Sequence, residues 1–405
     1  MTSTKNLHIT ELESSLKYIS SYWTTLSRKN TSDSATLIGL PNKYIVPGEA
    51  ANHFVFDEQY YWDSYFIAIG MNDEKLVTGM LDNLIFMYKS FGLIPNANRY
   101  YFTSRSQPPI LTTFIFHVYE KYGKKDDWLA EKIKVAKHEY SSVWTSKEHP
   151  HARSVHKGLS RYYDINYLHD LSEAESGWDM TPRFQRQCLD YLPIDLNCLL
   201  YKYEADFVKA AQILGDTTEE KVWSHAAEER RKIVTKLMWS KRQGFFFDYN
   251  YVKKEKGKVW SLAGYYALWS GLATQKQAES LLKKLERFEK KGGLTTTIGN
   301  YMYFSLFGST KTQWAYPNGW APLQYITTEG LEKYGYSRSA QRVAHRWLRN
   351  CNDWFATHGE FLEKYNVVNP KLKPAEGVYP SQTGFGWTNG VFVYYAEKYT
   401  DSPSE

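Results

Sequence analysis

Gly215-Asp216-Thr217-Thr218-Glu219-Glu220 separates two long runs of helical periodicity, 192–214 and 217–240. Gly215 follows the first run as helix C-caps do. Thr217 with Glu220 fits a capping box, in which a hydroxyl and a later carboxylate satisfy free amide groups. Two long helices joined by so short a turn form a hairpin. The same punctuation recurs on both sides. Gly92, Gly123 and Gly335 close periodic segments, Thr274-Gln275-Lys276-Gln277 fits a second capping box, and Pro108-Pro109 can open a helix. Helices are expected at 11–30, 57–71, 73–91, 108–122, 126–147, 192–214, 217–240, 260–271, 274–289, 319–335, 337–357 and 387–399. Twelve helices joined alternately by short turns and long loops suggest hairpins arranged in a ring, with an irregular α-solenoid as the alternative. Residues 244–251, rich in Phe and Tyr, read as a short β insert. No Pro-, Gly- or Ser-rich linker divides residues 1–405, so one domain is expected.

The chain has 405 residues, 42% of them hydrophobic, enough for a large core. Its net charge of +6 comes from 50 basic and 44 acidic residues in mixed order, which argues against nucleic acid and membrane surfaces as partners. Cys188, Cys198 and Cys351 are scattered, so neither a metal site nor a disulfide framework is expected, and no cofactor motif appears. Met1–Asn6 lacks an apolar signal core, and no apolar run is long enough to span a bilayer. A cytoplasmic protein is the default expectation, and the sequence leaves its oligomeric state open. Aromatic residues reach 17%, with 33 Tyr and 14 Trp. Most will be core, yet amphipathic rings also suit the flat faces of sugars.

The unusual residues gather in the loops. Glu175-Ser176-Gly177-Trp178-Asp179 places two carboxylates and an indole around a glycine that permits a tight turn. It is either a solvated turn or the seat of an acid kept protonated by burial, as a glycosidase proton donor requires. Tyr60-Tyr61-Trp62-Asp63 is an aromatic helix face or a sugar platform with a carboxylate to grip hydroxyls. Ile94–Pro109 carries Asn96, Arg105 and Gln107, whose amides and guanidinium can bond hydroxyls in fixed geometry, and is otherwise a turn-rich structural loop. Gln313-Trp314-Ala315-Tyr316-Pro317-Asn318-Gly319-Trp320-Ala321-Pro322 brackets a proline turn with two indoles. Gly384-Phe385-Gly386-Trp387-Thr388-Asn389-Gly390 opens the last helix, without a phosphate-loop pattern. Glu363-Lys364-Tyr365 stands before a long polar loop, although Glu-Lys-Tyr also ends three helices elsewhere in the chain.

Taken together and in this order, these clusters resemble the trehalases of glycoside hydrolase family 37 and the related family 63 α-glycosidases, over roughly residues 55 to 395. The resemblance implies an all-α (α/α)6 barrel with long active-site loops. It implies an inverting hydrolase of the α-glucosidic bond in a small substrate such as α,α-trehalose. By position in the motifs, Asp179 would be the general acid and Glu363, in Glu363-Lys364-Tyr365-Asn366, the general base. Trp62, Asp63, Asn96, Arg105 and Gln107 would line the glucose subsite. Trp178, Trp314, Trp320 and Trp387 would wall it, with Gln313 and Asn318 beside them.

The chain departs from that pattern where polar groups would grip sugar hydroxyls. Val55 stands in place of an Arg, Ala315 in place of an Asp, and Thr383 in place of an acidic residue. Leu159-Ser160-Arg161-Tyr162-Tyr163-Asp164 replaces a Pro-Arg-Pro-Glu loop. The Gly177-Trp178-Asp179-Met180-Thr181-Pro182-Arg183 run brings the hydrolases of glucosylglycerate and mannosylglycerate into consideration, with Arg99, Arg161 and Arg183 as candidates for the glycerate carboxylate. A carbohydrate-binding barrel without catalysis would keep the rings and lose a carboxylate. A phosphorylase would need a basic phosphate pocket.

Overall fold

The computed structural model describes residues 7–49, 55–299, 303–305, 308–310, 312–377 and 381–401; Met1–Asn6, read above for a signal core, lie outside them. Each of the twelve expected helices is present: α1 (Glu13–Tyr22), α2 (Tyr61–Ala68), α3 (Glu74–Phe91), α4 (Leu111–Lys121), α5 (Asp126–Glu139), α7 (Ile194–Leu214), α8 (Thr217–Met238), α9 (Tyr266–Trp269), α10 (Gln275–Lys284), α11 (Ala321–Lys333), α12 (Ser337–His358) and α13 (Gly386–Tyr399). A thirteenth, α6 (His169–Glu175), falls in a stretch read as loop. The first helix stops earlier than expected, and Ser27–Arg28 pairs instead with Tyr44–Ile45 as a small antiparallel ladder. Within 260–271 a four-residue 3-10 turn, Leu262–Tyr265, is followed by the four residues of α9.

These helices form an (α/α)6 barrel. The inner helices α4, α7, α9, α11 and α13 touch in turn and the ring closes where α13 packs on α2, while outside them α3 packs on α4, α5 on α4 and α7, α8 on α7, and α12 on α11 and α13. The residue patterns explain the two layers. Every residue of α2 is buried, because an inner helix meets protein on all sides. In α8 the buried residues Ala227, Arg230, Val234, Leu237 and Met238 form a single stripe, as expected of a helix with one face in water. The short β insert is present as Phe245–Phe246 and Tyr249–Asn250, and the latter pairs with Tyr191–Leu192 just before α7.

Local caps hold the hairpins. The cap of α8 is Asp216, whose carboxylate accepts from the Thr218 and Glu219 amides at 3.1 and 2.9 Å, so the expected cap moves back one residue from Thr217. A carboxylate is a strong acceptor and suits the positive helix end, which favours Asp216 over the hydroxyl. The capping box at Thr274 and Gln277 forms as expected. Pro108-Pro109 precede α4 rather than open it, since Ile110 is its cap.

Closure of the ring depends on glycine. A Cβ at Gly390 of α13 would stand 2.1 Å from the Phe66 carbonyl oxygen of α2, and one at Gly70 would stand 2.4 Å from the Gly390 carbonyl oxygen. Gly390→Ala should therefore push α13 off α2 and destabilise the protein by about 2 kcal/mol or more, a typical cost of overpacking. Urea unfolding monitored by tryptophan fluorescence measures this, and an unchanged midpoint would show that the two helices can separate at no cost.

Candidate active site

The loops that precede the inner helices meet at one end of the barrel. Asn318–Trp320 pairs antiparallel with Lys364–Asn366, which joins the Gln313–Pro322 cluster to the Glu363 loop. The Trp314 amide donates to the Met180 carbonyl at 3.2 Å, and Gln313 Nε2 donates to the Asp179 carbonyl at 2.6 Å. Trp387 Nε1 donates to the Glu363 carbonyl at 2.9 Å, and Gln107 Oε1 accepts from the Trp62 amide at 3.0 Å. Gly177 makes the turn before Asp179 possible. Its φ is +72°, and a Cβ there would lie 2.9 Å from the Trp62 ring.

These contacts enclose a cavity of about 320 Å³. Trp62, Asp63, Asn96, Arg105, Gln107, Asp179, Trp314, Glu363 and Trp387, all singled out from sequence, line it. Trp178, Gln313, Asn318 and Trp320 do not, and stand behind the wall instead. Trp320 stacks on Trp314 at 3.8 Å with an interplanar angle of 3°, and Trp178 stacks on the same ring at 5.4 Å. Asn318 Nδ2 donates to the Gln313 and Ala375 carbonyls. The two indoles back the ring of Trp314, and Gln313 and Asn318 hold the surrounding backbone through hydrogen bonds. Phe56, Tyr60, Phe102 and Phe385 also line the cavity. The last three lie inside the clusters read above without being singled out; their place beside the selected residues was the available signal.

Burial dominates the electrostatics. Asp179 is half-buried at the cavity wall, and desolvation with the nearby Glu363 charge raises its carboxyl to about 7. Asp63 is pushed to about 8, mainly by desolvation and also by Glu363 and Asp179. Glu363 is buried too, and Lys364 Nζ pairs with its Oε2 at 2.7 Å while lying over the Trp320 ring. Two carboxyl groups in different surroundings that face a single cavity can act as acid and base on a bound ligand.

Supporting groups surround this core. Glu175 is completely buried and accepts from the Ser106 amide at 2.8 Å and the Tyr163 amide at 2.7 Å, while Arg153 forms a two-pronged pair with it. Glu173 Oε1 accepts from the Thr181 amide at 2.7 Å, and burial raises its carboxyl to about 8. Arg105 Nη1 meets the buried Asp164 Oδ2 at 3.2 Å. Of the other arginines considered, Arg183 is fully buried against Asp195 and Asp248, Arg99 pairs with Glu58, and Arg161 donates to the Leu189 carbonyl and the Tyr251 hydroxyl. None of these three lines the cavity.

With this geometry in view, comparison with known proteins gives a family. A family profile described as Trehalase matches residues 3–176 and 164–400, and the chain belongs to that family. It is 34% identical to the cytosolic neutral trehalase of Saccharomyces cerevisiae over 88% of this chain and 57% of that protein. The solved neutral trehalase from the same yeast superposes with a TM-score of 0.77 at 32% identity, covering 89% of this chain and 74% of the other. A family 63 mannosylglycerate hydrolase from Thermus thermophilus shares the fold at 16% identity and a TM-score of 0.69, covering 94% and 99% of the two chains. The chain spans 57–58% of the length of the curated relatives it matches. Among the described residues no helix is long and apolar enough to cross a membrane.

The raised carboxyl groups make stability depend on pH in a defined direction. A carboxyl that titrates near 8 in the folded protein and near 4 when unfolded leaves the fold fully stabilised below about pH 4, and that stability is lost as pH rises toward about 8. Asp63→Asn removes the ionisation. The variant should gain stability relative to the parent across this window, by up to about 1.4 kcal/mol per pH unit for one proton. Urea titrations of both proteins at several pH values measure the difference, and a flat difference would mean that Asp63 ionises normally in the fold.

Proposed function

We propose that this protein is an inverting glycosidase that hydrolyses the α-glucosidic bond of a small substrate, with α,α-trehalose as the first candidate, and that it works as one barrel domain. The observation that carries the reading is the raised carboxyl of Asp179 in the same cavity as the lysine-paired carboxylate of Glu363. Membership of the trehalase family supports it. The single-domain reading is supported by the inner ring, which draws helices from residue 61 to residue 399 and so leaves no part of that span with its own core.

In this mechanism glucose sits against Trp62, Trp314 and Trp387, with Asp63, Asn96, Arg105 and Gln107 bonding its hydroxyls. Asp179 gives its proton to the glycosidic oxygen as the C–O bond breaks. Glu363 takes a proton from a water that attacks the anomeric carbon from the opposite face. The ammonium of Lys364 holds the base in place. Hydrolysis of a glycerate glycoside is the weaker reading, because Arg99, Arg161 and Arg183 are engaged elsewhere. A cytoplasmic location accords with the cytosolic names of the fungal relatives.

NMR of a trehalose digest should show β-glucose formed together with α-glucose at the outset, since inversion acts on one of the two α-linked rings. Asp179→Asn and Glu363→Gln should each lower kcat by about a thousandfold or more, the scale of lost acid–base catalysis in a water-excluded site. The rate should fall as pH rises through about 7, where Asp179 loses its proton. Wild-type rates in both variants would remove these residues from the mechanism.

A further inference from the structure

The segment from Glu173 to Thr181 leaves the end of α6, turns at Gly177 and carries Asp179 to the cavity wall. Glu173 holds it at both ends. Near α6 its carbonyl accepts from the Ser176 amide at 3.0 Å and the Ser176 hydroxyl at 2.5 Å, and that hydroxyl accepts from the Trp178 amide at 3.1 Å. At the far end the Thr181 amide donates to Glu173 Oε1 at 2.7 Å, two residues beyond Asp179. The Met180–Thr181 peptide is therefore held on both edges. Its carbonyl accepts from the Trp314 amide, and its amide is taken by Glu173. The peptide before it is held on one edge, where Gln313 Nε2 donates to the Asp179 carbonyl.

The Glu173 side chain has no access to a ligand. It is 1% exposed, and the cavity takes Ala174, Gly177 and Asp179 from this segment but not Glu173. Its carboxyl still lies close enough to Asp179 for their charges to interact, with Asp170, Arg183 and Cys188 as the other titratable or charged groups around it. Burial raises it to about 8, so at neutral pH it is mostly uncharged and Oε1 serves as a neutral acceptor. Among the described residues Oε2 has no hydrogen-bond partner, which leaves the Thr181 amide as the one group this side chain binds. That amide is buried as well, and a buried amide needs an acceptor.

We infer that Glu173 is a positioning residue for the proton donor: by holding the Thr181 amide from behind, it fixes the turn that points the Asp179 carboxyl into the cavity. This rests on the glycosidase reading above and adds a residue that serves the same site without touching substrate. Without Glu173 the Met180–Thr181 peptide hangs from the Trp314 amide alone, and the turn between Gly177 and Pro182 gains freedom to swing. Asp179 then meets the glycosidic oxygen less often in line, while Glu363, on a separate loop tied to Asn318–Trp320, keeps its place.

Two substrates tell positioning of the acid from general loosening of the site. Trehalose needs a proton on its leaving oxygen, whereas α-glucosyl fluoride releases fluoride, which leaves without one and needs only the water and the base. Glu173→Leu removes the acceptor at similar volume. On trehalose its kcat should fall about a hundredfold, the scale of a reacting group displaced by about 1 Å, and kcat/KM should fall in parallel. On α-glucosyl fluoride it should stay within about threefold of the parent, which also shows that the barrel has folded. Glu173→Asp, which keeps the carboxyl but draws it back by one methylene, should show the same split. Glu173→Gln, which keeps an acceptor oxygen in place, should turn over trehalose within about threefold of the parent. These two polar variants decide the matter even where Glu173→Leu does not fold. Equal losses on the two substrates, full trehalose activity in Glu173→Leu or Glu173→Asp, or a Glu173→Gln variant as slow as Glu173→Asp would each overturn the inference. A parent protein that hydrolyses neither compound would instead remove the glycosidase reading, and the inference with it.

Discussion

Glu175 is the anchor on which the candidate site depends. Its buried carboxylate takes the amides of Ser106 and Tyr163 and the guanidinium of Arg153, tying three separate stretches of chain to the end of α6. A buried carboxylate is costly unless every lone pair is engaged, and removing one partner of such a pair costs about 3–5 kcal/mol. The arrangement is therefore close to all-or-none. When Glu175 is satisfied, the Arg105–Gln107 segment and the Tyr163–Asp164 segment have little freedom, and Asp179, four residues on, is aimed at the space between them. The acid in this reading is positioned by a neighbour that never touches substrate.

The barrel supplies the second constraint. The cavity sits where the inner helices begin, with Trp62 and Asp63 in the first turn of α2 and Trp387 in the first turn of α13. Helix N-termini carry partial positive charge, so they offset part of the crowding of three carboxyl groups. Desolvation still wins for Asp63 and Asp179, which rise to about 8 and 7, because burial removes far more stabilisation from a carboxylate than a helix end restores. Glu363 differs in its neighbour, the Lys364 ammonium, which meets its Oε2 at 2.7 Å. The two carboxyl groups thus differ by their nearest neighbours within one dry space, which is the asymmetry a proton donor and a proton acceptor need.

Much of this was legible in particular residues. The Gly215 hairpin, the capping box at Thr274 and the Phe-rich insert at 245–250 were read correctly because each is a local signal. The thirteenth helix was missed because His169–Glu175 is short, and its buried residues, Ser172, Glu173 and Glu175, are polar, so hydrophobic periodicity could not reveal it. The shift of the α8 cap from Thr217 to Asp216 is a one-residue competition between two good acceptors. The cavity drew in nine of the residues singled out from sequence but turned Trp178, Gln313, Asn318 and Trp320 into its backing. Whether a Trp faces a cavity or stacks behind another Trp depends on which ring arrives in front of it, and Trp314 and Trp320 differ in this although they belong to one short loop.

By itself the sequence determined twelve of the thirteen helices, the alternation of short turns and long loops, and the chemical character of each cluster, because these follow from contacts within about one helical turn of each residue. The tertiary structure decided which clusters share a cavity, which carboxyl groups are dry, and which rings form the wall. Those outcomes rest on pairs such as Glu175 with Ser106 and Trp387 with Glu363, separated by 69 and 24 positions in the chain. Burial and proximity set the protonation of a carboxyl group, and both are created only when the ring of helices closes.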